Sequence, residues 1–228
     1  MPFGFYIIMA AQFFSALADN ALLIAAIAAL REMRAPSEYE PLLKTFFTVS
    51  YVALAAFVGA FADSMPKWRV MFISNAIKIV GCSLMFFGAH PLVAYAVVGL
   101  GAAAYSPAKY GILTEYLPHR LLVVANGWIE GLTVGAIILG VVIGGMLIKP
   151  EIAQMLLSFD VPLIDTGIDT PVKMSISIVG VLYVVAALFN LYVPDTGVDH
   201  KPLKKNPYYL AHEFRHCFSL LWRDRLGQ

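Results

Sequence analysis

The sequence predicts an all-α membrane protein with six transmembrane helices. Of its 228 residues, 60% are apolar and only 14% are charged, whereas soluble domains contain about 25% charged residues. The mean hydropathy is +0.75, so too few polar side chains remain to cover a soluble core. The apolar residues are gathered into six segments, each close to the length of about 20 residues that crosses the hydrocarbon core of a bilayer.

The six predicted spans follow one another from the N-terminus. The first has neither the charged start nor the small-residue cleavage site of a signal peptide, and its apolar run continues to Leu30. Turn residues separate the later spans, in order at 34–37, 64–67, 90–91 and 118–119. Residues 149–173 contain three prolines and are expected to form a longer loop. The predicted spans are 3–30, 45–62, 70–88, 92–117, 121–148 and 174–193.

The composition changes abruptly after Pro194. We therefore expect residues 1–194 to form a six-helix transmembrane bundle and residues 195–228 to form a basic cytoplasmic segment. The pattern in this tail is typical of an amphipathic helix on the inner leaflet, and equally of a solvated helix that links two membrane bundles. The apolar residues that recur there at helical spacing are Leu210, Phe214, Cys217, Phe218 and Leu221.

Lysine and arginine are distributed unequally between the two predicted sides of the membrane. The side that holds the tail carries nine of them outside the spans, and the other side carries five. Cytoplasmic segments are enriched in these residues. The sequence therefore predicts a multi-pass protein with both termini in the cytoplasm.

Several classes of function are excluded by composition and missing motifs. The net charge of +1 and the lack of a basic block argue against nucleic-acid binding. The two cysteines are too few for a disulfide framework. No phosphate-binding loop, nucleophile elbow or metal-ligand spacing occurs. We therefore expect no enzyme activity, no cofactor and no metal site.

Four ionisable residues lie well inside predicted spans: Asp19, Lys78, Lys109 and Glu130. A charge at bilayer depth costs at least about 2.5 kcal/mol on insertion scales. Such residues usually face a cavity or a partner and mark a functional site. A simple membrane anchor has little use for four of them.

Asp19 belongs to a polar stripe on the first span. Gln12 and Ser15 share its helix face, and Asn20 lies beside it. A carboxylate there can carry a proton, pair with a buried lysine or bind an ammonium group, or it can form a structural pair that only fixes the helix register. Lys78 has no acid at its depth on the preceding span, so it either snorkels to the cytoplasmic surface or meets an anionic phosphate in a central cavity.

Lys109 and Glu130 lie on either side of the predicted turn near His119. Lys109 is ten residues before this turn and Glu130 is eleven after it, so a rise of about 1.5 Å per residue places them at nearly the same depth. Tyr110 lies on the same helix face as Lys109. We expect an intramembrane ion pair, which either neutralises the two charges or clamps a zwitterionic ligand.

Four glycines recur along the fifth span, at positions 131, 135, 140 and 144. Small residues four apart allow two helix backbones to approach closely in a membrane. Close packing of this span is the expected result.

Gly59, near the end of the second span, is followed by Asp63, Lys67 and Arg69 in the turn that leads to the third span. This spacing resembles the cytoplasmic loop signature of the major facilitator superfamily. In that family a carboxylate and cations latch neighbouring helix ends and separate as the two halves rock. The resemblance implies that these four residues form a conformational latch.

Two longer stretches are similar to the bacterial lysophospholipid transporters of that superfamily. They are residues 11–23 and residues 101–113, and residues 125–130 and 219–223 continue the similarity. The resemblance implies facilitated movement of lysophospholipids, chiefly lysophosphatidylethanolamine, from the outer to the inner leaflet of the bacterial inner membrane. It places Asp19 and Lys109 near the head-group path, and the further candidates for substrate binding are Asn20, Lys78 and Tyr110.

The resemblance also implies a fold and a set of partners. The chain matches the N-terminal half of a major-facilitator fold, itself two inverted three-helix repeats. A complete cavity then needs a second six-helix half, from a longer parent chain or a second copy. The implied partners are the lysophospholipid, the lipid bilayer and an acyltransferase/acyl-carrier-protein synthetase that reacylates the product.

Two other functions remain open from the sequence. One is proton-coupled efflux of amphipathic compounds, with Asp19 as the proton carrier. The other is a membrane docking module for a lipid-modifying enzyme, with the basic tail as the contact surface.

Overall fold

The computed structural model describes residues 1–157 and 168–198 and, in the tail, Arg215, His216 and Ser219. All regular secondary structure in these residues is helical. The helices are α1 (Phe3–Glu32), α2 (Tyr39–Asp63), α3 (Lys67–Phe86), α4 (Pro91–Tyr116), α5 (His119–Leu147), α6 (Pro150–Leu157) and α7 (Pro171–Leu191). The five helices α1, α3, α4, α5 and α7 are long and apolar enough to cross a membrane. The all-α membrane class predicted from the sequence is confirmed.

A sixth span requires both parts of α2. Its segments Tyr39–Ala55 and Phe57–Asp63 meet at an angle of 68° and together pass the same test of length and hydropathy. The helix begins at Tyr39, six residues before the predicted span, because helical hydrogen bonding continues through polar residues such as Glu40 and Lys44. A hydropathy pattern detects only the apolar part of such a helix.

Prolines mark the starts of three helices. Pro91 and Pro171 occupy the first turns of α4 and α7, where a missing N–H interrupts no helical hydrogen bond. Pro150 is likewise the first residue of α6. The predicted loop after α5 therefore begins with a helix of eight residues, whereas residues 158–167 of that loop lie outside the described part of the chain.

The long helices pack as two interleaved groups of three. The first group is α1, α2 and α3, and the second is α4, α5 and α7. Helix α4 packs mainly against α2 and α3, while α1 packs mainly against α5 and α7. Helices α3 and α7 pack against each other. Helix α1 is thus buried by α5 and α7 of the other group, and α4 is buried by α2 and α3.

The glycines of α5 divide into two sets. A Cβ atom on Gly140 would lie 2.5 Å from the carbonyl oxygen of Leu17, and one on Gly144 would lie 3.0 Å from that of Ala21. These two glycines bring α5 close to α1, as expected. A Cβ atom on Gly131 or Gly135 would meet nothing within 4 Å, so these positions face outward from the described bundle.

One end of the bundle gathers four chain segments. Pro194, just after α7, lies against Gly4 at the start of α1. Glu115 near the end of α4 contacts both Lys67 at the start of α3 and Thr196. These are the segments that the charge distribution assigns to the cytoplasm.

Candidate functional site

A polar cavity of about 250 Å³ lies among α1, α2, α4 and α5, with one side chain from α3 at its wall. Most helix surfaces in the bundle are apolar, so this cavity is where polar groups collect. Its charged lining comes from Asp19, Lys44, Lys78 and Lys109. Three lysines thus border the cavity with one aspartate, and the lining favours a ligand that carries an anionic group.

Asp19 and Lys78 form a buried ion pair in the cavity wall. Lys78 Nζ lies 2.7 Å from Asp19 Oδ2 and donates a second hydrogen bond to Ser15 Oγ at 2.9 Å. The side chain of Lys78 is only 2% exposed, whereas that of Asp19 is 17% exposed. Lys78 therefore does not snorkel to the surface. Of the partners considered for Asp19 from the sequence, the structure provides the buried lysine.

Further polar side chains surround this pair. Tyr183 donates a hydrogen bond of 2.8 Å to Asp19 Oδ1, and Tyr95 donates one of 3.3 Å to the Asp19 carbonyl oxygen. Ser15 donates to Asn75 Oδ1 at 2.9 Å. None of Tyr95, Asn75 and Tyr183 was predicted as a site residue from the sequence. Each is a polar residue inside an apolar span, so hydrogen-bonding capacity at bilayer depth was the signal that could have identified them.

Lys78 also faces two aromatic rings. Its Nζ lies 5.3 Å from the ring centre of Tyr105 and 5.8 Å from that of Tyr183. Ring faces attract cations at such distances. The ammonium group of Lys78 is thus held by a carboxylate, a hydroxyl and two ring faces.

Lys109 is paired more loosely. Its Nζ lies 3.4 Å from Glu130 Oε1, and Tyr110 donates a hydrogen bond of 2.7 Å to the same oxygen. Lys109 Nζ also lies 4.3 Å from the ring centre of Tyr110. Glu130 is half exposed. The helices bring these three residues together, and the hydrogen bond from Tyr110 to Glu130 is shorter than the one from Lys109.

Asn20 lines the cavity beside Asp19. Its side-chain N–H group donates to the carbonyl oxygen of Ala16 at 2.8 Å, within its own helix. Across the cavity, Gln12 donates to Thr133 Oγ1 at 3.0 Å and so links α1 to α5. The described residues contain no group of three or more histidine, cysteine, aspartate or glutamate side chains that could hold a metal ion.

The turn between α2 and α3 holds a second cluster. Lys67 Nζ lies 2.6 Å from Asp63 Oδ1, 2.8 Å from the carbonyl oxygen of Ala62 and 3.5 Å from Glu115 Oε1. Thr196 donates a hydrogen bond of 2.8 Å to Glu115 Oε2. This cluster joins α2, α3, α4 and the segment after α7.

The other two latch candidates lie apart from this cluster. A Cβ atom on Gly59 would meet nothing within 4 Å. Arg69 is exposed and stacks over the ring of Trp68 at 5.1 Å. Glu115 and Thr196 were not predicted from the sequence, since they lie 48 and 129 positions beyond Lys67 in the chain.

Thr196→Val is expected to lower the free energy of unfolding by about 1 kcal/mol, because it leaves Glu115 with one fewer hydrogen bond and changes the side-chain shape little. Thr114→Val is the matched control, since the hydroxyl of Thr114 is exposed and bonds only within its own helix to Gly111. Thermal unfolding in detergent measures both. Equal losses for the two variants would show that Thr196 does not brace the cluster.

Comparisons with known proteins agree with the all-helical membrane fold. The sequence profile of the Major Facilitator Superfamily matches residues 8–226. The lysophospholipid transporter LplT of Yersinia enterocolitica is 37% identical over 221 residues, which cover 97% of this chain and 50% of the relative. LplT of Serratia proteamaculans is 37% identical over 217 residues, which cover 95% of this chain and 50% of the relative.

LplT of Yersinia pestis is 36% identical over 217 residues, which cover 95% of this chain and 48% of the relative. The chain therefore spans about half the length of the curated relatives it matches. The profile match covers almost the whole sequence, and the described residues include five or six helices long and apolar enough to span a membrane. The chain belongs to the Major Facilitator Superfamily.

Proposed function

We propose that this protein transports lysophospholipids, chiefly lysophosphatidylethanolamine, from the outer to the inner leaflet of the bacterial inner membrane. The observation that carries the proposal is the charged cavity of about 250 Å³ inside an otherwise apolar bundle. A lysophospholipid joins a charged head group to one acyl chain, and only the head group needs a polar path. The similarity to relatives named lysophospholipid transporters supports this substrate class over other amphipathic compounds.

The head group occupies the cavity, with its phosphate at Lys109. Lys109 is the better candidate of the two intramembrane lysines, because its distance to Glu130 is 3.4 Å whereas Lys78 lies 2.7 Å from Asp19. Asn20 contributes a further polar contact in the cavity, and Tyr110 contributes one beside Lys109. The acyl chain stays against lipid and the apolar helix faces.

A second six-helix half completes the cavity, from the same parent chain or from a second copy. The outward faces of α2 and α5 are apolar and exposed in the described bundle, as at Val52, Val123 and Val134. Gly131 and Gly135 on α5 leave room for the close approach of another helix. Such an approach would cover the α5 face that the described helices leave open.

The remaining assignments follow from the same proposal. Both termini lie in the cytoplasm, and the cluster around Lys67 is the conformational latch that opens as the two halves rock. The product is reacylated by an acyltransferase/acyl-carrier-protein synthetase at the inner leaflet. The apolar tail candidates between 210 and 221 all lie outside the described residues, and their role in a membrane-bound or linking helix stays a prediction.

Transport is tested with the protein at its native length, which immunoblotting of native membranes establishes. The protein is reconstituted in vesicles, and labelled lysophosphatidylethanolamine is followed from one leaflet to the other by its loss of extraction into albumin. Lys109→Gln is expected to slow transport about tenfold or more, the effect of losing one hydrogen bond to a charged group. Arg31→Gln is the control, since its ion pair with Glu40 is exposed and lies outside the cavity. A wild-type protein that moves no lysolipid would overturn the proposal.

The double variant Lys109→Gln/Glu130→Gln separates the two functions of this ion pair. If Lys109 binds phosphate, the double variant remains as slow as Lys109→Gln. Recovery of transport in the double variant would show that Lys109 and Glu130 only neutralise each other's charge and that Lys109 does not bind the phosphate.

Two further experiments test the two alternative functions, proton-coupled efflux and docking of a lipid-modifying enzyme. Dissipating the proton gradient is expected to leave lysolipid transport unchanged, whereas proton-coupled efflux would stop. Deleting residues 201–228 separates transport from docking, because a docking module would lose its partner while any transport continued.

A further inference from the structure

We infer that Lys78 occupies an ammonium-binding site in the cavity and exchanges with the ammonium group of a zwitterionic head group. The inference rests on the proposed function and assigns a selectivity to its cavity. In this exchange the substrate ammonium takes the place of Lys78 at Asp19, and Lys78 moves to the substrate phosphate. Both buried charges stay paired throughout, so neither is left alone in a low dielectric.

The first support is the chemistry around the Lys78 ammonium. It is bound by the Asp19 carboxylate at 2.7 Å and the Ser15 hydroxyl at 2.9 Å, beside the ring faces of Tyr105 and Tyr183. A carboxylate combined with aromatic faces is a general arrangement for binding organic ammonium groups. A primary ammonium at the end of a lipid head group offers the same charge and the same three N–H donors as Lys78.

The second support is an unused hydrogen-bond donor beside Lys78. The hydroxyl of Tyr105 is buried without a hydrogen-bond partner in the part of the chain that the structure describes, and the whole residue is 4% exposed. Tyr105 lines the cavity. A buried hydroxyl without a partner is destabilising, and a phosphate oxygen brought to Lys78 would accept its hydrogen bond.

The third support is the asymmetry between the two members of the ion pair. Asp19 is the more exposed partner and borders the cavity, so an incoming ammonium reaches it without crossing the protein interior. Tyr183 holds the other carboxylate oxygen at 2.8 Å. Asp19 therefore keeps its position while the cation that pairs with it changes.

This exchange distinguishes two head groups that share a phosphate. Lysophosphatidylethanolamine carries an ammonium group and uses Asp19, Lys78 and Tyr105 in addition to Lys109. Lysophosphatidylglycerol carries no ammonium group, so the pair of Asp19 and Lys78 stays closed and the phosphate binds at Lys109 alone. The ratio of the two transport rates therefore reports the exchange.

The test measures this ratio with the protein at its native length in vesicles that contain both labelled lysolipids. Tyr105→Phe removes only the unused hydroxyl, and it is expected to lower the ethanolamine-to-glycerol ratio about tenfold. Lys78→Met leaves Asp19 free to attract ammonium and to repel phosphate, and it is expected to raise the ratio about tenfold. Tyr6→Phe, on an exposed residue at the start of α1, is the control and should keep the wild-type ratio.

Opposite shifts in the two variants support the exchange, because general damage to the fold slows both lysolipids alike. If Lys78→Met does not fold, the fall in the ratio with Tyr105→Phe decides the question alone. A wild type that moves both lysolipids, with a Tyr105→Phe ratio within twofold of it, would overturn the exchange and leave the transport proposal standing. A wild type that moves neither lysolipid would overturn both.

Discussion

The Asp19→Asn protein is expected to unfold with a free energy at least about 3 kcal/mol lower than that of the wild type, because the buried Lys78 ammonium loses its counter-charge. The Lys78 side chain is 2% exposed, so water cannot replace the carboxylate. Thermal unfolding in detergent, followed by the loss of monodisperse protein, measures the difference.

Asp63→Asn is the matched control for this change. It alters the same chemical group in a second aspartate–lysine pair, but Asp63 is 67% exposed and Lys67 keeps contacts with Glu115 and the Ala62 carbonyl oxygen. Asp63 itself is solvated and Lys67, which is only 5% exposed, keeps Glu115 as a counter-charge, so we expect a loss of about 1 kcal/mol or less. The double variant Asp19→Asn/Lys78→Met should recover much of the lost stability. Equal losses for Asp19→Asn and Asp63→Asn would contradict the importance of burial.

The Gly140→Ala protein is expected to lose about 2 kcal/mol of unfolding free energy, because overpacking a close contact typically costs about 1–3 kcal/mol. The new Cβ atom would lie 2.5 Å from the Leu17 carbonyl oxygen and 3.0 Å from the Asn20 Cβ atom. Helix α1 and α5 would have to separate along their whole contact. The same unfolding measurement on the 228-residue chain reports this loss.

Gly135→Ala, on the same helix, is expected to raise the free energy of unfolding slightly rather than lower it. Its Cβ atom would meet nothing within 4 Å, so alanine adds only its higher helix propensity, about 1 kcal/mol or less. A loss with Gly135→Ala as large as that with Gly140→Ala would show that packing does not separate the two positions.

The sequence predicts the fold class because the hydropathy of a segment depends only on the residues in that segment, and each spanning helix is a single apolar segment. Spans of α1, α3, α4, α5 and α7 stand out as apolar runs. The polar start of α2 and the short helix α6 do not, since neither has the apolar length that marks a span. Helical hydrogen bonding at those positions is not visible in hydropathy.

The candidate site was only partly predictable from the sequence. Lys109 and Glu130 flank a single turn, so counting residues to that turn gives their relative depth. Asp19 and Lys78 are 59 residues apart on helices with two turns between them. Their contact depends on which faces α1 and α3 present to each other, and tertiary packing determines those faces.

The positions of Tyr105 and Tyr183 beside Lys78 also depend on tertiary packing and could not be predicted from the sequence. Each can be interpreted as an ordinary aromatic core residue, and nothing in the local sequence assigns either to a lysine. The aromatic enclosure of Lys78 arises only when α3, α4 and α7 meet.

The interleaving of the two helix groups has a consequence for synthesis at the ribosome. Helix α1 is made before its main packing partners. These partners, α5 and α7, are the fifth and the sixth of the described long helices in chain order. The Asp19 carboxylate can gain Lys78 once α3 has been made, but its hydrogen bond from Tyr183 must wait for α7, 164 residues later. Long-range contacts of this kind slow folding. Helix α1 therefore gains its full set of packing contacts and hydrogen bonds only after α7 has been made.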